Sequence, residues 1–270
     1  MEVFFLILVG LIGGLVAGLM GVGGGIIFTP VLFFLFDEAG IEHPVQWSVA
    51  SGLLCTFVAA GSSTIRQYIQ KNMFWKEGLY LGLMGVIGIT LGKWILTSEF
   101  YDRQQFAVFF SAILFYAAYM MFRRGKDASK ESERLFSELK IKEFFVTGGV
   151  GGFIASLAGV GGGGIMVPIM NLLYRQPFRK AVSVSQLGMV VLIFSGLVQL
   201  ALVNVETAGL SSTTLGYIDI GTALPLAFGG LVGGFGGVFL NHRIKRKYLQ
   251  WGFALLAFVM AGRLLWSVFN

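Results

Sequence analysis

The chain repeats itself. Gly14-Leu-Val-Ala-Gly18-Leu-Met-Gly21-Val-Gly-Gly-Gly25-Ile-Ile-Phe-Thr-Pro30 recurs as Gly152-Phe-Ile-Ala-Ser156-Leu-Ala-Gly159-Val-Gly-Gly-Gly163-Gly-Ile-Met-Val-Pro168. Every matched pair, from Gly14 and Gly152 to Pro30 and Pro168, is 138 residues apart. A fixed internal period constrains architecture before any local feature does. Both copies are strongly apolar and both are broken by glycines at the same place. Paired, glycine- or proline-interrupted apolar segments at matching positions in two halves point to the binding site of a transporter.

The composition agrees. Of 270 residues, 56% are hydrophobic and 13% charged, against about 25% charged in soluble domains. The chain is expected to be polytopic membrane protein from nearly end to end. The net charge of +6 is gathered into a few loops, which reads as orientation bias and not as a nucleic-acid surface. Cys55 is the only cysteine, so an internal disulfide or a cysteine-based metal site is excluded. No cofactor is called for. The opening Met1-Glu-Val-Phe lacks a basic region, and a cleaved signal peptide is not expected.

Ten apolar segments are read: residues 3–20, 26–36, 45–65, 78–96 and 106–122, then 144–158, 165–174, 181–203, 218–240 and 249–269. This divides the chain into a first repeat (1–122), a charged linker (123–142) and a second repeat (143–270). A span needs about 20 apolar residues. Segments 26–36 and 165–174 are too short, and each pairs with the segment before it as a hairpin.

Loop charge orients the pairs. The Lys/Arg-rich linker is placed in the cytoplasm, with Arg66, Lys71 and Lys76, with Arg175, Arg179 and Lys180, and with the basic run from His242 to Lys247. The acidic loop Asp37–Glu42, Glu206 and Asp219 then fall outside. These placements agree only if 144–174 enters and leaves on one side. Each repeat is then one glycine-broken re-entrant helical hairpin plus three transmembrane helices. Three is odd, so the repeats have inverted topology.

Gly23, Gly24 and Gly25, followed by Thr29-Pro30, read as a turn or an unwound stretch, as do Gly161, Gly162, Gly163 and Gly164. Each glycine costs a helix about 1 kcal/mol relative to Ala. Irregular backbone at membrane depth is tolerated where it is buried in protein or lines a cavity. Short helices beginning near Gly25 and Gly164 would aim free N–H groups and positive dipole ends at a shared midplane site. Such a site suits a small anion without a buried Lys or Arg. The alternative is close helix packing, which is the expected role of Gly10, Gly14, Gly18 and of Gly229, Gly233, Gly237. Packing favours every fourth residue, not a run. The formal G-x-G-x-x-G at Gly159–Gly164 is not a dinucleotide fingerprint, because no strand precedes it.

Next in the chain come small-residue openings to the following helices: Ser48-Val-Ala-Ser51-Gly52, and Ala181-Val-Ser183-Val-Ser185-Gln186. With the glycine break and nearby proline in both halves, these residues make the whole chain resemble the TauE/SafE family of sulfite and organosulfonate exporters. The resemblance implies an integral membrane exporter of a small sulfur oxyanion, such as sulfite or sulfoacetate, in the cytoplasmic membrane. It leaves the exact substrate open. Ser51, Ser185 and Gln186 join the glycines as candidate substrate contacts, and Ser183 is a further hydroxyl; bonding to backbone is their alternative role. Gly52 stands where the second copy has Ser185, so a hydroxyl contact at that point comes from one repeat.

Lys93 and Arg263 interrupt spans near their outer ends. They are either functional or snorkel to the interface. Trp47, Trp75, Trp94, Trp251 and Trp266 are expected in an aromatic belt, and Cys55 in helix packing. A channel of the same architecture remains an alternative. A membrane enzyme is disfavoured, since His43 and His242 fall in loops on opposite sides and Asp219 lacks a second intramembrane carboxylate. The partners expected are a small anion and the lipid bilayer, with no nucleic acid. The oligomeric state stays open.

Overall fold

The computed structural model describes residues 2–21, 23–127, 139–205, 210, 213–240 and 246–269. Most of the charged linker, part of the basic run after Leu240, Glu206 and Asn270 lie outside the described residues.

The chain is helical almost throughout. In order come α1 (Glu2–Met20), α2 (Gly25–Glu38), α3 (Pro44–Ile69), α4 (Trp75–Leu96) and α5 (Arg103–Asp127). The second half gives α6 (Ile141–Ala158), α7 (Gly163–Pro168), which continues as a π-helical turn at Ile169–Leu173, α8 (Phe178–Ala201), α9 (Ile220–Leu240) and α10 (Arg246–Phe269). Among the described residues, six of these (α1, α3, α4, α6, α8, α9) are long and apolar enough to cross a membrane.

Three boundaries differ from the sequence expectation. Thr29-Pro30 is not part of the break: both residues lie inside α2, and the irregular backbone ends at Gly24. Pro30 and Pro168 remove an N–H near the start of each short helix, and the second helix widens into its π turn directly after Pro168. The first arm of each hairpin is also longer than a half-span. α1 has 19 residues, or about 28 Å at 1.5 Å per residue. Finally, α9 starts two residues later than expected. A small hairpin precedes it, β1 (Thr214–Leu215) with β2 (Ile218–Asp219). Gly216 turns it at φ 53°, where a Cβ would strike the Leu200 carbonyl.

The two repeats interlock. α1 packs along α9, and its counterpart α6 packs along α4. Glycines make both seams. A Cβ on Gly10, Gly14 or Gly18 would collide with the backbone oxygen of Leu226, Gly230 or Gly234, and one on Gly229, Gly233 or Gly237 with that of Ile7, Leu11 or Leu15. The second seam repeats the first: Gly148 abuts the Leu81 carbonyl and Gly152 that of Gly85. Small residues let backbones approach where lipid gives no hydrophobic drive to associate. Likewise α3 packs on α9 as α8 packs on α4. The contacts of one repeat thus recur in the other with the partners exchanged.

α3 and α8 stand at the centre. Each has 72% of its apolar window buried, against 39–50% in the other four spans. The periphery carries the apolar side chains that meet lipid, among them Phe4, Leu83, Trp94, Phe194, Phe228 and Trp266. Trp75, Trp94, Trp251 and Trp266 are exposed, but Trp47 is 1% exposed. It belongs to the core, edge-on to Tyr217 at 5.5 Å, and is not part of a belt. Cys55 is buried on the α9 side of α3, with Sγ 3.5 Å from the Ala223 carbonyl.

Candidate functional site

Both short helices begin the same way. Gly24 (φ 70°) and Gly162 (φ 77°) are left-handed N-caps with no side-chain capping bond, and neither first turn holds an acidic residue. Gly23 (φ 90°) and Gly161 (φ 74°) share that left-handed backbone, which only glycine adopts freely. The first N–H groups of each helix therefore have no partner inside the helix. α7 begins at Gly163, the repeat partner of Gly25, and not at Gly164; Gly164 is its second residue.

The folded chain brings the two breaks into contact. A Cβ on Gly25 would run into the Gly159 carbonyl, and one on Gly163 into the Gly21 carbonyl. These are the same contact seen from the two repeats. Gly24 meets the Gly13 carbonyl as Gly162 meets that of Gly151. Between the breaks sit two side chains from the central helices. Gly23 and Gly161 both face the Thr56 methyl group and the Met189 sulfur. Thr56 and Met189 are not among the sequence-derived candidates, although a signal exists. The register that pairs Gly52 with Ser185 also pairs Thr56 with Met189.

Hydroxyls stitch the breaks together. The Gly159 carbonyl accepts from Thr29 Oγ1 at 3.2 Å and Thr56 Oγ1 at 3.4 Å. Its counterpart, the Gly21 carbonyl, accepts from Ser185 Oγ at 3.3 Å; that hydroxyl also reaches Val182 O at 3.0 Å. Gln186 Nε2 donates to Ala17 O at 2.7 Å, the carbonyl that also accepts the Gly21 N–H. Its amide oxygen is buried without a hydrogen-bond partner among the described residues.

Ser51 sits elsewhere. Its hydroxyl accepts the Asp219 N–H at 3.0 Å, five residues before Thr56 and so about 7.5 Å along α3 by helix rise. Asp219 is itself 1% exposed. Its carboxylate takes the Gly221 N–H at 3.2 Å and the Thr222 hydroxyl at 2.6 Å, and so caps α9. Ser183 donates to the Asn72 carbonyl at 2.8 Å. Gln199 donates to Thr90 and Ser195. Arg263 lies over the Phe34 ring at 4.5 Å and is exposed, and Lys93 is half-buried. Neither reaches the breaks.

The family model described as "Sulfite exporter TauE/SafE" matches residues 6–264. The chain belongs to the TauE/SafE family. Among its relatives, the probable membrane transporter protein MJ0441 of Methanocaldococcus jannaschii is 30% identical, covering 91% of this chain and 88% of the relative. The probable membrane transporter protein YunE of Bacillus subtilis is 28% identical over 92% and 91%. A probable membrane transporter protein of Haemophilus influenzae is 26% identical over 94% and 95%. This TauE/SafE member is a multi-pass membrane transporter and not an enzyme. The glycine breaks of both halves fall inside the matched region.

Proposed function

We propose that the protein exports a small sulfur oxyanion, sulfite or an organosulfonate such as sulfoacetate, across the cytoplasmic membrane. The substrate is held near the midplane where the two breaks meet. One observation carries this reading: two helices with uncapped, acid-free N-termini begin at adjoining glycines. Each such end presents unpaired N–H groups and about half a positive charge. The glycines let backbone approach a ligand where a side chain would stand in the way. The hydroxyls of Thr29, Thr56 and Ser185, now on the carbonyls of Gly159 and Gly21, become donors to substrate when the breaks part. The family's name supports sulfite as cargo.

In this reading the repeats are upside down with respect to each other, and the linker is cytoplasmic. With the cell interior negative, outward movement of one anionic charge gains about 2.3 kcal/mol per 100 mV. Sidedness has a direct test. Glu38 closes the first hairpin and Arg175 the second. In a Cys55→Ala background, Glu38→Cys is expected to react with impermeant maleimide from outside and Arg175→Cys from inside. Labelling of both from one side would remove the inverted arrangement.

Substrate class is tested by equilibrium binding to purified protein. Sulfoacetate is expected to bind at least tenfold more tightly than taurine. Among the described residues the taurine ammonium meets no acid at the breaks, because the Asp219 carboxylate caps α9. Tighter binding of taurine, or no anion bound at millimolar concentration, refutes the assignment. Counter-flow between sulfite and sulfoacetate in proteoliposomes is the expected behaviour of a carrier, and its absence means a channel.

A further inference from the structure

We propose that the Gln186 amide oxygen is a specificity determinant: it accepts a hydrogen bond from a hydroxyl on the substrate, and so selects sulfur oxyanions that carry one O–H group. This rests on the anion-carrier reading above and names the class of anion that the same site takes.

Gln186 lies on the face of α8 that meets the glycine breaks. Val182, Gln186 and Met189 follow one another at spacings of four and three, which sets them on one side of a helix. Val182 Cγ1 is 2.9 Å from where a Cβ on Gly21 would be, and Met189 Sδ is 2.9 Å from the corresponding point on Gly23. Gln186 sits between these two contacts and is fully buried. Its Nε2 donates to the Ala17 carbonyl, which also takes the Gly21 N–H. The amide is therefore laid against the first residue of the first break.

The orientation of that amide follows from its partner. A carbonyl only accepts, so the nitrogen faces Ala17 and the oxygen is turned away from it. Turning the group over would set two acceptors against each other. The oxygen so placed is buried and has no hydrogen-bond partner among the described residues. Most buried side-chain oxygens in folded proteins have one. An acceptor kept empty beside a ligand site is completed by a donor that the ligand brings.

Packing does not require glutamine at this position. The register that pairs Gly52 with Ser185 also pairs Val49 with Val182 and Leu53 with Gln186. The contacts bear that register out: Val49 Cα is 3.2 Å from where a Cβ on Gly159 would be, as Val182 stands at Gly21. Leu53 is fully buried too. The matching place in the other half is thus filled by a hydrocarbon side chain. One side of the meeting place carries the extra acceptor and the other does not, so one substrate hydroxyl is matched once.

The ligand that complements this arrangement can be specified. The two helix starts supply N–H donors and positive charge, which suit the oxygens of an anion. Gln186 adds one neutral acceptor. The fitting ligand has several acceptor oxygens, a single negative charge and one O–H. Hydrogen sulfite has all three, and so does a short hydroxyalkanesulfonate. An ammonium group is a poorer match, because it brings three donors and a positive charge to one uncharged acceptor.

The test uses two pairs of monoanions, each matched in charge and differing in the hydroxyl. Equilibrium binding to the purified protein in mildly acidic buffer compares hydrogen sulfite with methanesulfonate, and 2-hydroxyethanesulfonate with ethanesulfonate. The parent is expected to bind the hydroxylated member about tenfold more tightly in at least one pair, a gain that one hydrogen bond supplies. The pair that shows it tells whether the hydroxyl belongs to the inorganic anion or to a carbon chain. Gln186→Leu, which copies Leu53, is expected to bring that ratio within about twofold by weakening the hydroxylated member. Equal weakening of both members means that Gln186 acts only through its bond to Ala17, and overturns the proposal. So does a preference that survives in Gln186→Leu. If that variant does not fold, the absence of any preference in the parent overturns it. A parent that binds none of the four anions refutes the carrier reading instead, and the proposal with it.

Discussion

Alanine at Gly25 or Gly163 is expected to reduce transport at least ~100-fold in protein that still inserts and purifies as a single species. Neither glycine has a left-handed φ, so the backbone accepts a side chain there, and Ala is the best helix former. The nearest obstacle is across the interface. The added methyl meets a carbonyl oxygen of the opposite break, Gly159 in one case and Gly21 in the other, and then Val160 and Thr56 or the Met189 side chain. Overpacking of this kind costs a fold about 1–3 kcal/mol, which most folds survive. What it does not spare is the meeting of the two breaks. Transport assays beside size-exclusion profiles separate the two effects. Leu at Gly24 or Gly162 adds left-handed strain to a clash with the Gly13 or Gly151 carbonyl and is expected to be at least as damaging. Normal transport by Gly25→Ala and Gly163→Ala together would mean that the close approach of the breaks is not used.

The second large effect concerns stability. Lys180 Nζ lies 2.7 Å from Glu77 Oε1, joining the start of α8 to the first turn of α4. The lysine side chain is 4% exposed and the glutamate 17%, and the Phe74 ring is 5.5 Å from the ammonium. Removing one member of a buried pair typically costs about 3–5 kcal/mol, since a charge is left behind without its partner. Lys180→Met is therefore expected to lower the thermal midpoint sharply, toward the smaller end of that range because Glu77 keeps some solvent. Lys180→Met with Glu77→Gln is expected to recover most of the loss. Melting curves in detergent, followed by size exclusion, check both. Equal destabilisation of the single and double variants would mean that the pair contributes through packing and not through charge.

The repeat, the apolar segments and the glycine breaks were legible because each is a local pattern. Gly23, Gly24, Gly161 and Gly162 lie where the run of glycines puts them, in left-handed backbone. The partners of those glycines were less legible. Ser51 and Ser185 read alike, as hydroxyls near the start of a central helix. Yet Ser185 reaches the Gly21 carbonyl, and Ser51 takes the N–H of Asp219, which no local pattern announces. The separation has a simple cause: the two helices are registered by Gly52 and Ser185, which leaves Ser51 opposite Val184. Trp47 misled for a related reason. A tryptophan near the end of a span suits an interface, but α3 is a central helix, and its end is covered by the strand pair before α9 through Tyr217. The Lys180–Glu77 pair joins loops' ends about a hundred residues apart in sequence and likewise leaves no local trace.

The crossed seams also set an order of events during synthesis. The glycine face of α1 has its partner in α9, about 200 residues further along. At the usual 5–20 residues per second, α1 waits about 10–40 s in the bilayer before that partner exists. The seam between α4 and α6 closes much sooner. The nascent chain therefore carries an open, small-residue groove through most of its own making. That groove is closed only by the penultimate helix, after the seam between α4 and α6 has already joined the two halves.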